Sequence, residues 1–89
     1  MKAEILVQGV VQGVGYRFFV LNQAHLYDLK GYVRNLPNGS VEVVAEGEKG
    51  LVKDFVERLR IGPMSAHVTG VDVKWHEEDS GYTEFRLQH

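Results

Sequence analysis

The chain is 89 residues long, 44% hydrophobic and 25% charged, with a formal net charge of −2. That length supports one domain with its own core, expected over residues 1–89, and the mild acidity argues against a protein devoted to nucleic acid. The absence of cysteine excludes thiol chemistry and fits a reducing cytoplasm, while no apolar run is long enough to span a membrane and Met1-Lys2-Ala3-Glu4-Ile5 lacks a signal-peptide layout.

Ala3 to Val10 is rich in β-branched residues and predicts a strand. From Tyr16 the period changes: Tyr16, Phe19, Val20, Ala24 and Tyr27 follow helical spacing and predict a helix ending near Tyr27. Phe18, Leu21 and Leu26 lie off that stripe, and the pattern leaves them either exposed or packed under a loop. Gly31 to Asn35 and Ser40 to Glu46 predict two strands. Between them, Leu36-Pro37-Asn38-Gly39 signals a hairpin, because Asn-Gly tolerates the positive φ of a tight turn. Leu51, Val52, Phe55, Val56 and Leu59 line one face of a second helix that Gly62-Pro63 ends. His67 to Trp75 predicts a fourth strand and Tyr82 to Leu87 a short fifth. His76-Glu77-Glu78-Asp79, between those last two strands, predicts a solvated acidic loop.

The order β-α-β-β-α-β with an extra C-terminal strand is the α+β, ferredoxin-like plan, with two helices on one face of an antiparallel sheet. This plan carries a consequence for function. The first strand runs up to the segment after Val10, and the second strand climbs again to Asn35. Asn35 and Arg17 are therefore expected on the same rim.

That rim holds the densest chemistry in the chain. Gly9, Gly13 and Gly15 fall within Gly9-Val10-Val11-Gln12-Gly13-Val14-Gly15-Tyr16-Arg17, where a strand ends and a helix begins. Glycine lets successive N–H groups converge, and a helix N-terminus adds its own free donors, so the segment suits an anion. The expected backbone donors are Gln12, Gly13, Val14, Gly15 and Tyr16, with Arg17 as a two-pronged side-chain partner for phosphate oxygens. Asn35 does not titrate near neutral pH, so it cannot be a base; its carbonyl oxygen could aim a water molecule at phosphorus. A carboxylate leaving group, whose acid has a pKa of about 4, departs without a general acid. The pair thus favours an acyl phosphate over an alkyl ester.

These two segments, Gly9 to Arg17 and Gly31-Tyr-Val-Arg-Asn-Leu-Pro-Asn-Gly-Ser-Val-Glu42, resemble the signature segments of the acylphosphatases. Gly62-Pro63 with Ala66 and Val68 is similar to a weaker motif of that family. The resemblance spans nearly the whole chain. It implies hydrolysis of a carboxyl–phosphate bond to carboxylate and inorganic phosphate without metal or other cofactor; a small-molecule acyl phosphate is the expected partner, with phosphorylated carboxylates on proteins the open alternative. Arg17 would bind the phosphoryl group and Asn35 would orient the attacking water. The departures are mild: Tyr16 stands where phenylalanine is common, Tyr32 where tryptophan is common, and Asp28 where glycine is frequent.

Two other readings start from the same residues. One is a non-catalytic phosphate-binding module of this fold; the other is a nucleic-acid-binding sheet, which the acidic balance disfavours. Gly13-x-Gly15 has Phe18 where a dinucleotide fingerprint wants glycine, and no Lys-Ser/Thr pair follows for a nucleotide loop. The four histidines show no ligand spacing, so no metal is expected. Nothing demands a protein partner, and a cytoplasmic monomer is the expectation.

Overall fold

In the computed structural model, which describes residues 1–89, Ala3, Ile5 and Val7 are fully buried and alternate with more exposed residues along β1 (Lys2–Val10). A strand that buries one face reads in this way. Helix α1 (Tyr16–Leu26) follows, then β2 (Lys30–Asn35), β3 (Val41–Glu46), helix α2 (Lys49–Ile61), β4 (His67–His76) and β5 (Phe85–Gln88). This is the expected ferredoxin-like order. The sheet runs β4-β1-β3-β2-β5, so β3, the most continuously buried strand, lies at its centre. Helix α1 covers β2 and β5, and α2 covers β1 and β4. One core joins Ile5, Val7, Val33 and Val43 of the sheet to Val20, Phe55 and Leu59 of the helices.

Both β1 and β2 pair antiparallel with β3 and therefore run in the same direction. Their C-terminal ends, Val10 and Asn35, share one rim. The fifth strand pairs with β2 in parallel, which makes the sheet mixed rather than purely antiparallel. It begins at Phe85, later than the sequence pattern suggests. The N–H groups of Ser80, Gly81 and Tyr82 are drawn instead onto the buried Glu46 carboxylate. A carboxylate so buried needs those donors, and they remove the segment from strand pairing.

The helices bury the residues their periodicity marks: Tyr16, Val20 and Ala24 on α1, and Val52, Phe55, Val56 and Leu59 on α2. The off-stripe residues divide. Leu21 packs against the core, whereas Phe18 and Leu26 are exposed. After α1, Asp28 takes φ of 54°, the left-handed conformation that glycine would adopt freely.

Tyr16 ties the two helices together. Its hydroxyl donates to the carbonyl of Leu59 at 2.8 Å inside the core. In a helix that carbonyl would accept from the residue four positions on, which here is Pro63 and has no N–H. The tyrosine supplies the missing donor. Burial holds its phenol well above the usual tyrosine range. Tyr16→Phe should therefore lower stability by about 1–3 kcal/mol, the cost of a buried acceptor left unpaired, measured by urea unfolding at pH 7. The raised pKa means the folded state keeps a proton that the unfolded chain loses above about pH 10. Stability of the native chain should fall as pH rises beyond that point, and Tyr16→Phe should flatten the fall.

Candidate active site

Two glycines shape the segment between β1 and α1. Gly13 and Gly15 take φ of 74° and 76°, a left-handed backbone that side chains resist. A Cβ at either position would meet nothing within 4 Å, so conformation rather than space selects glycine there. Gly15 is also the N-cap of α1 and offers no side-chain cap. The first intrahelical bond runs from Phe19 N to Gly15 O at 3.1 Å. The N–H groups of Gly13 through Phe18 meet no backbone carbonyl of the chain. Unspent donors at a helix N-terminus, together with the helix dipole, favour an anion.

The segment encloses a small cavity of about 180 Å³. Its walls are Val11, Gly13, Gly15, Tyr16, Arg17, Phe18 and Asn35. The structure thus brings Arg17, on the first turn of α1, to the same hollow as Asn35, the last residue of β2. Gly13, Gly15 and Tyr16 of the expected donor set line it as well. Gln12 and Val14 do not.

The polar groups around the cavity differ in how they are held. Arg17 donates from Nη1 to the carbonyl of Gln88 in β5 at 2.9 Å, which fixes the guanidinium and leaves the rest of its planar donor fork available. Asn35 Oδ1 is buried and has no hydrogen-bond partner in the protein. A buried acceptor without a donor is uncommon and calls for a specific explanation. The Val14 carbonyl accepts from Ser65 Oγ at 2.7 Å, which anchors the loop on one side.

The other anchor is Gln12, whose side chain the sequence reading passed over in favour of its backbone. Its Nε2 donates to the carbonyls of Leu36 and Ser40, both at 2.8 Å. Leu36 follows Asn35 directly, and the same two carbonyls close the turn through Leu36 N and Gly39 N. One amide therefore fastens the glycine segment to the β2–β3 turn. The only sequence signal was an amide side chain at the start of a glycine loop, which by itself names no partner.

A larger hollow of about 660 Å³ lies on the sheet face away from the helices. Two of its three carboxylates are engaged internally, Glu42 with Tyr32 and Arg34, and Glu4 with His76, while Asp72 is the third. Tyr32 has its pKa pushed up to about 12, by burial and by the adjacent Glu42. Those contacts brace one side of that face. No three His, Cys, Asp or Glu side chains gather into a group able to hold a metal ion, and no helix is long and apolar enough to cross a membrane.

The structure defines a small α+β domain of the ferredoxin-like plan, with one arginine and one asparagine beside free backbone N–H groups at a small hollow. The comparisons with known proteins narrow that description. The sequence model of the acylphosphatase family matches residues 3–87. An acylphosphatase from Moorella thermoacetica is 51% identical over 88 residues, covering 99% of this chain and 94% of that protein. One from Chlorobaculum tepidum is 46% identical, covering 97% and 94%. The crystal structure of acylphosphatase from Bacillus subtilis superposes with a TM-score of 0.96 at 35% identity, covering 99% of this chain and 98% of that one. The chain belongs to the acylphosphatase family and is an enzyme of that kind.

The Gln12 bridge yields a direct test. Gln12→Met removes both donors and should destabilise the fold by about 1–3 kcal/mol. Gln12→Glu should cost more at pH 7, because carboxylate oxygens would then face two carbonyl oxygens. Chemical denaturation of the three proteins measures both effects, and equal midpoints would show that the bridge carries no weight.

Proposed function

We propose that this chain hydrolyses the carboxyl–phosphate bond of a small acyl phosphate without a metal ion, with the phosphoryl group held in the Gly13–Tyr16 loop. The observation that carries the reading is the unpartnered, buried Oδ1 of Asn35 in the wall of the cavity that Arg17 also lines. A water molecule placed there would give Asn35 the donor it lacks. The amide would then hold the oxygen lone pair toward phosphorus.

The step balances as follows. Water oxygen bonds to phosphorus as the bond from phosphorus to the acyl oxygen breaks. The carboxylate leaves with the bonding pair. The water proton passes to a phosphoryl oxygen of the substrate, since no carboxylate or histidine lines the cavity. As charge redistributes over the phosphoryl oxygens, the loop N–H groups and the Arg17 guanidinium stabilise it. Donors fixed in advance do this without reorganising. A carboxylate is a good enough leaving group that no general acid is required.

Arg17 is the phosphate-binding catalytic side chain in this reading, and Asn35 is the residue that orients water. The backbone N–H groups of Gly13, Gly15 and Tyr16 complete the cradle. Gln12 holds the cradle against the strand end that carries Asn35, and Val14 serves through the carbonyl anchored by Ser65. The absence of cysteine fits the reducing cytoplasm as its compartment. A monomer suffices, because one chain contributes every group the mechanism uses.

Benzoyl phosphate hydrolysis followed in excess chelator tests the proposal. The native chain should turn the substrate over. Asn35→Ala should lower kcat by roughly 100-fold or more while inorganic phosphate still inhibits with similar affinity, because it removes the positioning of water alone. Arg17→Ala should lower kcat comparably and weaken phosphate inhibition as well. Loss of all activity in chelator, restored by a divalent metal, would sink the metal-free mechanism. A folded native chain with no turnover under either condition would leave a phosphate-binding module.

A further inference from the structure

One wall of the catalytic hollow has no part in the phosphoryl chemistry. Phe18 follows Arg17 on the first turn of α1, lines the same cavity and is 62% exposed. Its neighbours in the helix behave differently: Tyr16 is buried and Phe19 packs against the core. An isolated exposed apolar residue is ordinary. Leu26, on the same helix and outside the cavity wall, is such a residue. Phe18 differs because it is both exposed and one of the residues that line the cavity.

The charge around the hollow points the same way. Apart from Arg17, the lining holds no charged side chain; it is Val11, Tyr16, Phe18, Asn35 and two glycines. A second anionic group on the substrate would find no separate cation there. With the phosphoryl group in the loop, the acyl group is left at the mouth, against hydrocarbon. A flat apolar ring gains by stacking on or meeting the edge of another.

We propose that Phe18 is the contact for the acyl group, and that the site prefers acyl phosphates with aromatic or bulky apolar acyl groups. This rests on the acyl phosphate reading above. It adds the substrate class and the residue that selects it. Phe18 thereby sets specificity, while Arg17 and Asn35 carry the reaction common to every acyl phosphate.

The test compares kcat/KM for benzoyl phosphate with kcat/KM for acetyl phosphate in the native chain, Phe18→Ala, Phe18→Leu and Leu26→Ala. The native ratio should favour benzoyl phosphate. Phe18→Ala should reduce that ratio about tenfold, Phe18→Leu should reduce it less, and Leu26→Ala should leave it unchanged. Circular dichroism should show Phe18→Ala folded, because the side chain it truncates is largely outside the core. A second measurement does not depend on turnover. Calorimetry should show phenylphosphonate binding the native chain more tightly than methylphosphonate, with the preference lost in Phe18→Ala. An unchanged benzoyl-to-acetyl ratio in Phe18→Ala overturns the assignment. If the native chain hydrolyses neither substrate, the hydrolytic reading fails by itself and the phosphonates decide the role of Phe18: a preference lost in Phe18→Ala sustains the contact, and equal affinities in the native chain overturn it.

Discussion

The Gln12 amide, with two 2.8 Å hydrogen bonds to Leu36 O and Ser40 O, joins the two halves of the site. The glycine segment cannot hold its own shape, because its donors from Gly13 onward meet no backbone carbonyl and its glycines are intrinsically mobile. A cradle of that kind works only if something external fixes it. Gln12 does so from one side and Ser65 from the other. The first of these bonds lands on the residue next to Asn35. The amide therefore sets the distance between the groups proposed to hold phosphorus and the group proposed to aim water. In a mechanism of pure positioning, that distance governs the rate more than the acidity of any residue does.

A second line of contacts reaches Arg17 from the opposite edge of the sheet. Glu46, buried in β3, gathers the N–H groups of Ser80, Gly81 and Tyr82, and the salt bridge from the Met1 amino group to Asp79 holds the same connection at 3.0 Å. This delivers β5 alongside β2 in parallel, and Gln88 at its end accepts from the Arg17 guanidinium. Without β5 the guanidinium would lose its internal hydrogen bond and much of its orientation. The fifth strand is thus part of the site's scaffold, although it is the shortest strand in the sheet. Tyr16 closes a third line by fixing the start of α1 to the carbonyl that Pro63 leaves without a donor in α2.

These three lines also explain how far the sequence could be read. Periodicity placed Val20 and Ala24 in the core, and Asn38-Gly39 marked the turn, because those signals are local and rest on backbone preference. The rim shared by Arg17 and Asn35 was legible because strand directions follow from connection rules. The Gln12 contacts were not legible, since the accepting carbonyls lie 24 and 28 residues away and every residue offers a carbonyl. The Tyr16–Leu59 bond hid for the same reason, despite the visible proline. Glu46 looked like an ordinary polar strand end; only the loop folding back on it makes its burial tolerable. Phe18 and Leu26 were indistinguishable by period, and only the tertiary fold sets one of them in the wall of the hollow.

What results is a site with almost nothing to titrate. Its proposed polar groups are peptide N–H donors, a guanidinium and an amide, and no carboxylate, histidine or cysteine lines the cavity. The perturbed phenols, Tyr16 and Tyr32, serve hydrogen bonds in the scaffold, away from the reacting atoms. A proton that the reaction releases therefore has to find its acceptor in the substrate. An acyl phosphate meets that condition, because its leaving group needs no proton and its phosphoryl oxygens can take the one that water loses. An alkyl ester does not, since its alkoxide would leave unprotonated. In the proposed reaction the poverty of acid–base groups in the cavity would filter the leaving group, as Phe18 is proposed to filter the acyl group attached to it. Both filters follow from a rim whose charge is confined to Arg17.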